Sequence, residues 1–545
     1  MPVFGEETFD LPIFKGLGIT DRPTTDLCAQ LTNMFMSAEK ELRLREDLIG
    51  IQTLVKAPSL VIPVTSNIPR HYMETSVEIF TAVGSETTDS PSLLFFYDNG
   101  AVRDCTWLNT NSVTAVSYTQ TLAANYGVKA FCQYRDRYYA SNGVVGAVGK
   151  IFRIQNFTTA GGALTVTDCT GATTNIGVDI LLTFKSRVFG FKKNRIYYTD
   201  LPIIGGYPET WNVNVNAIDL PSVDFDVTIY NALIYRDKIY MFTDKGIYVF
   251  NVSGSPTNWS IQLVSSNYPI YDRDSVCLNK NLIFLTDQQQ VTMFDGSEFT
   301  SIGGNIRSLF HNYTTPYAWF NIYAWEEGII LCRNTFINTG GNYAVPTQTN
   351  VDKRVLYYNL AMWAEIEWFP TVCATLKCGR NLIPYRGKTA SSWIYGIQGT
   401  NSQICFFYDG GLWKGDTMTT DHTSGGVRYR KPVALESSAP FLLDRSNKKY
   451  KFIDVYGYLN DVNTAGQILS MNGEPVSNLS DGQSIFRVPV DSTLGSQFKA
   501  LTAAPLLISG TIDKSLSGDN YPPFLIMGAD LVYNQDNRNR DGSGL

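Results

Sequence analysis

A polar turn followed by an apolar strand, returning along the chain every roughly 40 to 50 residues, predicts a mainly β fold: a β-propeller with additional β-rich domains built from the terminal segments. A second motif with the same spacing and an aromatic-rich, charge-poor composition point the same way. The 545 residues contain 13% aromatic and 17% charged side chains, against about 25% charged in an average globular protein. That mixture suits stacked sheets better than long charged helices.

The turn-and-strand copies are Tyr134-Arg135-Asp136-Arg137 before Tyr138-Tyr139-Ala140, Phe184-Lys185-Ser186-Arg187 before Val188-Phe189-Gly190-Phe191, and Tyr235-Arg236-Asp237-Lys238 before Ile239-Tyr240-Met241-Phe242. A fourth is Leu278-Asn279-Lys280-Asn281 before Leu282-Ile283-Phe284-Leu285, and a weaker fifth is Trp325-Glu326-Glu327-Gly328 before Ile329-Ile330-Leu331. Successive copies are 50, 51, 43 and 47 residues apart. Each makes sense as a hairpin, with polar residues in the turn and a β-branched or aromatic run behind it.

Independently, Pro208-Glu209-Thr210-Trp211 and Pro256-Thr257-Asn258-Trp259 share a Pro-x-x-Trp pattern 48 residues apart. The runs Phe95 to Gly100 and Phe406 to Gly411 read as hairpins with Asp/Asn-Gly turns that bracket the series. The distance between them accommodates about six or seven blades. Unrelated hairpins in a sandwich are the competing reading, but sandwich strands follow one another without such a superperiod.

The expected division is an N-terminal segment 1–75, a propeller 76–424, and a C-terminal β domain 425–545 with a polar tail. Within the first segment, Leu27, Leu31 and Met34 have helical spacing, with Asp26 or Ser37 as caps, whereas Glu41 to Arg45 alternates with a period of two. Helix and strand both remain open there. In the last segment, strands are expected at Val427 to Arg430, Tyr450 to Tyr458, Ser484 to Val490 and Phe524 to Tyr533.

Chemistry-bearing motifs are sparse. His71, His311 and His422 lie beside no candidate nucleophile and in no metal-binding spacing. Cys373 and Cys378 form a C-x4-C pair without a second half-site. The glycine pairs at 303, 340 and 425 lack the surroundings of a phosphate loop. Glu326, Glu327, Glu365 and Glu367 are the carboxylates best placed for paired acid-base work, yet Trp363 to Trp368 reads equally as an amphipathic strand. The expectation is therefore a protein that is not an enzyme, with no catalytic residue, cofactor or metal site.

Nine cysteines in no compact framework favour reduced thiols and folding in a reducing cytoplasm. The opening Met1 to Gly18 lacks the pattern of a signal peptide, and no apolar run is long enough for a membrane-spanning segment. With 44 basic and 50 acidic side chains the net charge is −6, which argues against a surface built to neutralise DNA phosphates.

The stretch Cys28-Ala29-Gln30-Leu31-Thr32-Asn33-Met34-Phe35, the following Leu42-Arg43-Leu44-Arg45, the run Ile196 to Asp200 ahead of Pro208-x-x-Trp211, and Leu233 to Trp259 continuing to Phe294-Asp295-Gly296 carry a family likeness. Through them the chain resembles the tail nozzle, or tail tubular, proteins of short-tailed bacteriophages. The resemblance implies a virion tail protein made in the bacterial host cytoplasm. It implies a homo-hexameric tube whose terminal segments dock on a portal or adaptor ring and which holds tail fibres or spikes. Double-stranded DNA would pass through without sequence-specific binding, since each phosphate contact adds friction. Two rivals are a virion-associated carbohydrate-binding or glycan-hydrolysing propeller, which predicts converging carboxylates and aromatic platforms, and an intracellular propeller scaffold, for which Trp-Asp and kelch signatures are missing.

Overall fold

A computed structural model describes residues 126–307 with short interruptions, and elsewhere the strands named below, the paired strands Ile337–Thr339 and Asn342–Ala344, and Asn359 and Met362. Among the described residues, seven four-stranded antiparallel units are laid out as propeller blades. Strands are lettered a to d from the centre outward. Blade 2 is Ala130–Tyr134, Arg137–Ser141, Ile151–Gln155 and Thr165–Asp168. Blade 3 is Ile180–Phe184, Arg187–Lys192, Arg195–Tyr198 and Ala217–Asp219. Blade 4 is Ile229–Tyr235, Lys238–Thr243, Gly246–Asn251 and Ser260–Ser265. Blade 5 is Val276–Asn279, Asn281–Leu285, Val291–Phe294 and Phe299–Ser301. All four turn-and-strand copies of this stretch form the a–b hairpin of a blade, so the repeat marks the same place in each.

Blade 1 is Ser76–Val77, Ser92–Phe96, Asp104–Asn109 and Tyr118–Thr121. Blade 6 contains the fifth, weaker copy as its a–b hairpin, Phe320–Trp325 with Gly328–Arg333, followed by Val355–Tyr358 and Trp363–Ile366. Blade 7 is built from both ends of the chain. Its strands Leu382–Arg386, Ser391–Gly396 and Ile404–Tyr408 are completed by Leu48–Ile51, with Ile404 facing Ile51 and Phe407 facing Leu48. The outer partner of the Phe406 segment is thus an N-terminal strand. The innermost strands pack on one another from blade 2 through blade 7, and strand a of blade 7 packs on strand a of blade 1.

The physical logic is clearest in the b strands. A sheet with one wet face shows alternating burial, but Arg187–Lys192 and Lys238–Thr243 are each buried at five of six positions. Both faces of a blade are covered by its neighbours, so the sequence there is a continuous apolar run. Phe189, Phe191, Phe242, Phe250 and Phe284 are fully buried between blades 3, 4 and 5. Each such side chain contributes about 1.5–3 kcal/mol.

The terminal segments form β structure beyond the ring. A six-stranded sheet joins Glu7–Asp10, Met34–Met36 and Leu42–Leu44 to Lys448–Leu459, Ile485–Pro489 and Phe524–Gln535. A nine-stranded sheet continues from blade 6 through Cys28–Thr32 into Lys431–Ser437, Leu507–Ile512, Leu469–Met471 and Glu474–Pro475. The seam between Cys28–Thr32 and blade 6 is parallel and pairs Thr32 with Glu365.

Of the helical and extended readings left open for this segment, the extended one is found where the structure describes it: Cys28–Thr32, Met34–Met36 and Leu42–Leu44 are strands. Pairing with strands hundreds of residues away outweighs the local helical spacing, and Leu31, Met34 and Leu42 are fully buried. The expected strand at 427–430 lies outside the described residues. Among the described residues no helix is long and apolar enough to cross a membrane.

Cys28, Cys132, Cys169 and Cys277 are buried free thiols. Burial pushes Cys28 and Cys132 up to about 12 and raises Cys169 and Cys277 in the same direction. The unfolded chain loses its thiol protons near about pH 8.5, so the stability contributed by these groups is complete below that pH and is lost as pH climbs towards the folded values. The denaturant midpoint is expected to fall between about pH 8 and pH 10.5. Alkylation at neutral pH, mapped by peptide mass, is expected to modify these four residues only after denaturant is added; labelling in the native state contradicts the packing.

Candidate functional site

The most elaborated connection among the described residues is the c–d loop of blade 3, residues 199–216, which contains the first Pro-x-x-Trp motif. Its base is anchored by an isolated bridge between Thr199 and Trp211, and by Asp200 N–H donating to the Thr210 carbonyl at 3.0 Å. Trp211 is buried against Ala130, Cys132, Tyr139, Val178 and Val188, which belong to blades 2 and 3 and the segment joining them. The motif is a latch: a loop of one blade inserts its indole into the seam with the preceding blade.

Glu209 secures the latch by charge. One carboxylate oxygen accepts from Arg137 and lies 3.5 Å from the Tyr139 hydroxyl, and the other accepts from Arg153 Nη1 at 2.7 Å. Both arginines come from blade 2. Tyr207 lies beneath the Arg137 guanidinium, 3.4 Å from its ring centroid. Burial works against the charge on Arg137, but the Glu209 hydrogen bond and charge outweigh it and raise its pKa. Burial, reinforced by the Glu209 charge, pushes the Tyr139 phenol upward, so it stays protonated.

The second Pro-x-x-Trp motif repeats the device one blade on. Pro256–Asn258 form a single 3-10 turn, and Trp259 packs on Phe189, Tyr198 and Phe250 at centroid distances of 5.7, 4.8 and 5.6 Å. Arg187, the blade 3 counterpart of Arg137, sits 5.4 Å from the Trp259 ring. The blade 4 loop has Asn258 where blade 3 has Thr210 and Thr257 where blade 3 has Glu209, so a carboxylate latch exists only in blade 3 of these two.

Beyond its anchor, the blade 3 loop turns outward. Gly206 N–H donates to the Ile203 carbonyl at 2.7 Å, closing a tight turn with left-handed Gly205, φ +79°, at its third position. Leu201, Ile203, Ile204 and Val215 are 59%, 84%, 106% and 68% exposed. They are half of the exposed large aliphatic residues among the described part of the chain. Four such side chains are carried by this one anchored loop.

Of the residues considered for catalysis or metal binding, the structure describes Glu365 alone. Glu365 is in strand d of blade 6, facing Leu356 across the ladder, while Glu326, Glu327, Glu367, Cys373, Cys378 and the three histidines lie outside the described residues. Among the described residues there is no group of three or more His, Cys, Asp or Glu side chains arranged to hold a metal ion. The Glu209 cluster was not foreseen. Its only sequence signal is the Pro-x-x-Trp spacing, because the arginines that complete it lie 56 and 72 residues away.

No protein-family model matches the chain, and no curated protein matches it either. Among solved structures, it is similar in shape to a 6-phosphogluconolactonase-like protein of Bacteroides uniformis, with 11% identity and a TM-score of 0.38 over 57% of this chain and 93% of that one. It is also similar to YCF48 bound to D1 peptide, with 9% identity and a TM-score of 0.34 over 76% and 97%. A fungal alcohol oxidase in complex with copper gives 9% identity and a TM-score of 0.39 over 78% and 89%. At these identities and scores the likeness carries no functional argument, and the propeller rests on the strand pairing itself.

Replacing Trp211 with Ala is expected to cost about 3–5 kcal/mol. Glu209→Gln keeps the shape but leaves Arg137 and Arg153 half-buried without their counter-charge, a loss of about 2 kcal/mol. Chemical denaturation of both variants checks this, and a Glu209→Gln midpoint equal to that of the unaltered chain refutes the latch.

Proposed function

We propose that this chain is a structural subunit of a short bacteriophage tail, a nozzle protein whose copies assemble into a hexameric tube below a portal or adaptor ring. In this reading the tube retains DNA and then conducts it during ejection, tail fibres or spikes attach to it, and the chain performs no catalysis. The observation that carries the reading is the use of both chain ends. A propeller needs its terminus only to close the ring, as Leu48–Ile51 does in blade 7. Here residues on either side of the ring go on to build a joint six-stranded sheet and extend blade 6 into a nine-stranded one. Such a second β body, continuous with one blade, is a means of holding a propeller at a fixed angle on a multi-subunit tube.

The net charge of −6 fits a conduit that must confine DNA without gripping it. The family likeness of the Cys28 to Arg45 stretch supports the same assignment, because those residues form the strands that tie the ring to the terminal sheets.

Light scattering and negative-stain imaging of the purified chain, alone and with candidate portal or adaptor rings, test the proposal. The expected result is a six-fold ring or ring-capped tube with a mass of about six 60.8 kDa chains. A monomer that never assembles on any such ring, and that binds or hydrolyses glycans, overturns it in favour of the carbohydrate-active alternative.

A further inference from the structure

We propose that the 3-10 turn Arg273–Ser275 is a strut laid across one mouth of the propeller channel, coupling the inner strand of blade 2 to those of blades 4, 5 and 6. The turn leads directly into strand a of blade 5. Arg273 Nη1 donates to the Lys129 carbonyl at 3.2 Å, 144 residues away in the chain. Lys129 immediately precedes strand a of blade 2. Blades 3 and 4 separate the two segments around the ring, and both segments enter innermost strands. A contact between them therefore spans the mouth of the channel.

The turn has partners on two further blades. Asn231 Nδ2, in strand a of blade 4, donates to the Arg273 carbonyl at 2.7 Å. Strand a of blade 6, Phe320–Trp325, lies against the turn as well. Ser275, at the end of the turn, is fully buried. The equivalent connections elsewhere stay with adjacent blades. Asp179, which precedes strand a of blade 3, bonds to residues of blades 2 and 3. Ile229, which opens strand a of blade 4, donates to the Lys193 carbonyl of blade 3 at 3.0 Å. Joining one blade to the next does not account for a side chain that reaches the far side of the ring.

The far end of the strut is firmly held. Lys129 N–H donates to the Ser141 carbonyl at 2.7 Å, and the Lys129 ammonium pairs with Asp179. Asp179 also holds Lys192 at 2.8 Å, and Lys192 Nζ donates to the Gly143 carbonyl at 2.8 Å. Arg273 thus docks on a node shared by blades 2 and 3, and one network of contacts links blades 2 to 6. It lies opposite the Glu209 latch, because segments entering strand a emerge at the other end of the strands from the a–b turns. The latch ties neighbouring blades at one end, whereas the strut ties blades that are not neighbours at the other. This inference rests on the contacts of the turn alone and is independent of the nozzle assignment.

Hydrogen exchange of the full chain, followed by mass spectrometry, tests it, since exchange reads local opening segment by segment. Arg273→Met keeps the aliphatic stem and removes the donors. Exchange in Ala130–Tyr134 and Ile229–Tyr235 is expected to quicken by about tenfold in this variant, the effect of losing one hydrogen bond from a charged donor. The rim strands Thr165–Asp168 and Ser260–Ser265 are expected to exchange as in the unaltered chain. Asn231→Asp keeps the acceptor that Ala232 N–H uses at 2.8 Å but removes the donor to Arg273. It is expected to quicken exchange in Ala130–Tyr134 by a smaller factor, and it keeps the test decisive if Arg273→Met does not fold. No change in blade 2, or a change confined to blade 5 and its entering segment, overturns the proposal. An equal rise in every blade, rim strands included, also overturns it and leaves Arg273 as an ordinary packing residue.

Discussion

Everything in this architecture depends on a four-stranded sheet with two apolar faces and no way to cover either alone. Val188, Phe189 and Phe191 of blade 3 and Ile239, Met241 and Phe242 of blade 4 are all buried, so each blade needs a neighbour on both sides. A row of such blades leaves two uncovered faces at its ends, and bending the row into a closed ring removes both. Closure falls to Leu48–Ile51, whose pairing with Ile404–Tyr408 ties the first described propeller strand to the last blade. The backbone ladder there unites the two ends of the ring as the aromatic contacts unite its middle.

The Pro-x-x-Trp loops add a second layer of coupling at the outer rim. A tryptophan from each loop enters the seam with the preceding blade, and a cation at the start of that blade's b strand meets it or its neighbour. In blade 3 the loop adds Glu209, which draws in both Arg137 and Arg153. The extra anchoring coincides with the loop that displays Leu201, Ile203 and Ile204 to solvent. Holding apolar groups in water is unfavourable, and a rigid base keeps them from collapsing onto the rim.

Continuity between ring and terminal sheets gives the molecule a mechanical character. The seam at Thr32 and Glu365 carries backbone pairing out of blade 6 and into strands from the C-terminal third of the chain. Sheets transmit force along such ladders without a flexible linker.

The amino-acid sequence by itself determined the blade repeat. Turn polarity, the apolar b strands and the Pro-x-x-Trp spacing are local patterns, and locally hydrogen-bonded meanders are legible from local pattern. Its local signals left two matters open that only the tertiary structure decided. The Leu27, Leu31, Met34 spacing is compatible with a helix, yet partners such as Leu435 and Ile526 draw the segment into sheets. Glu209 resembles any loop carboxylate until the fold sets Arg137 and Arg153 beside it. Both decisions depend on contacts between residues far apart in the chain, whose energies appear only once the blades have brought them together.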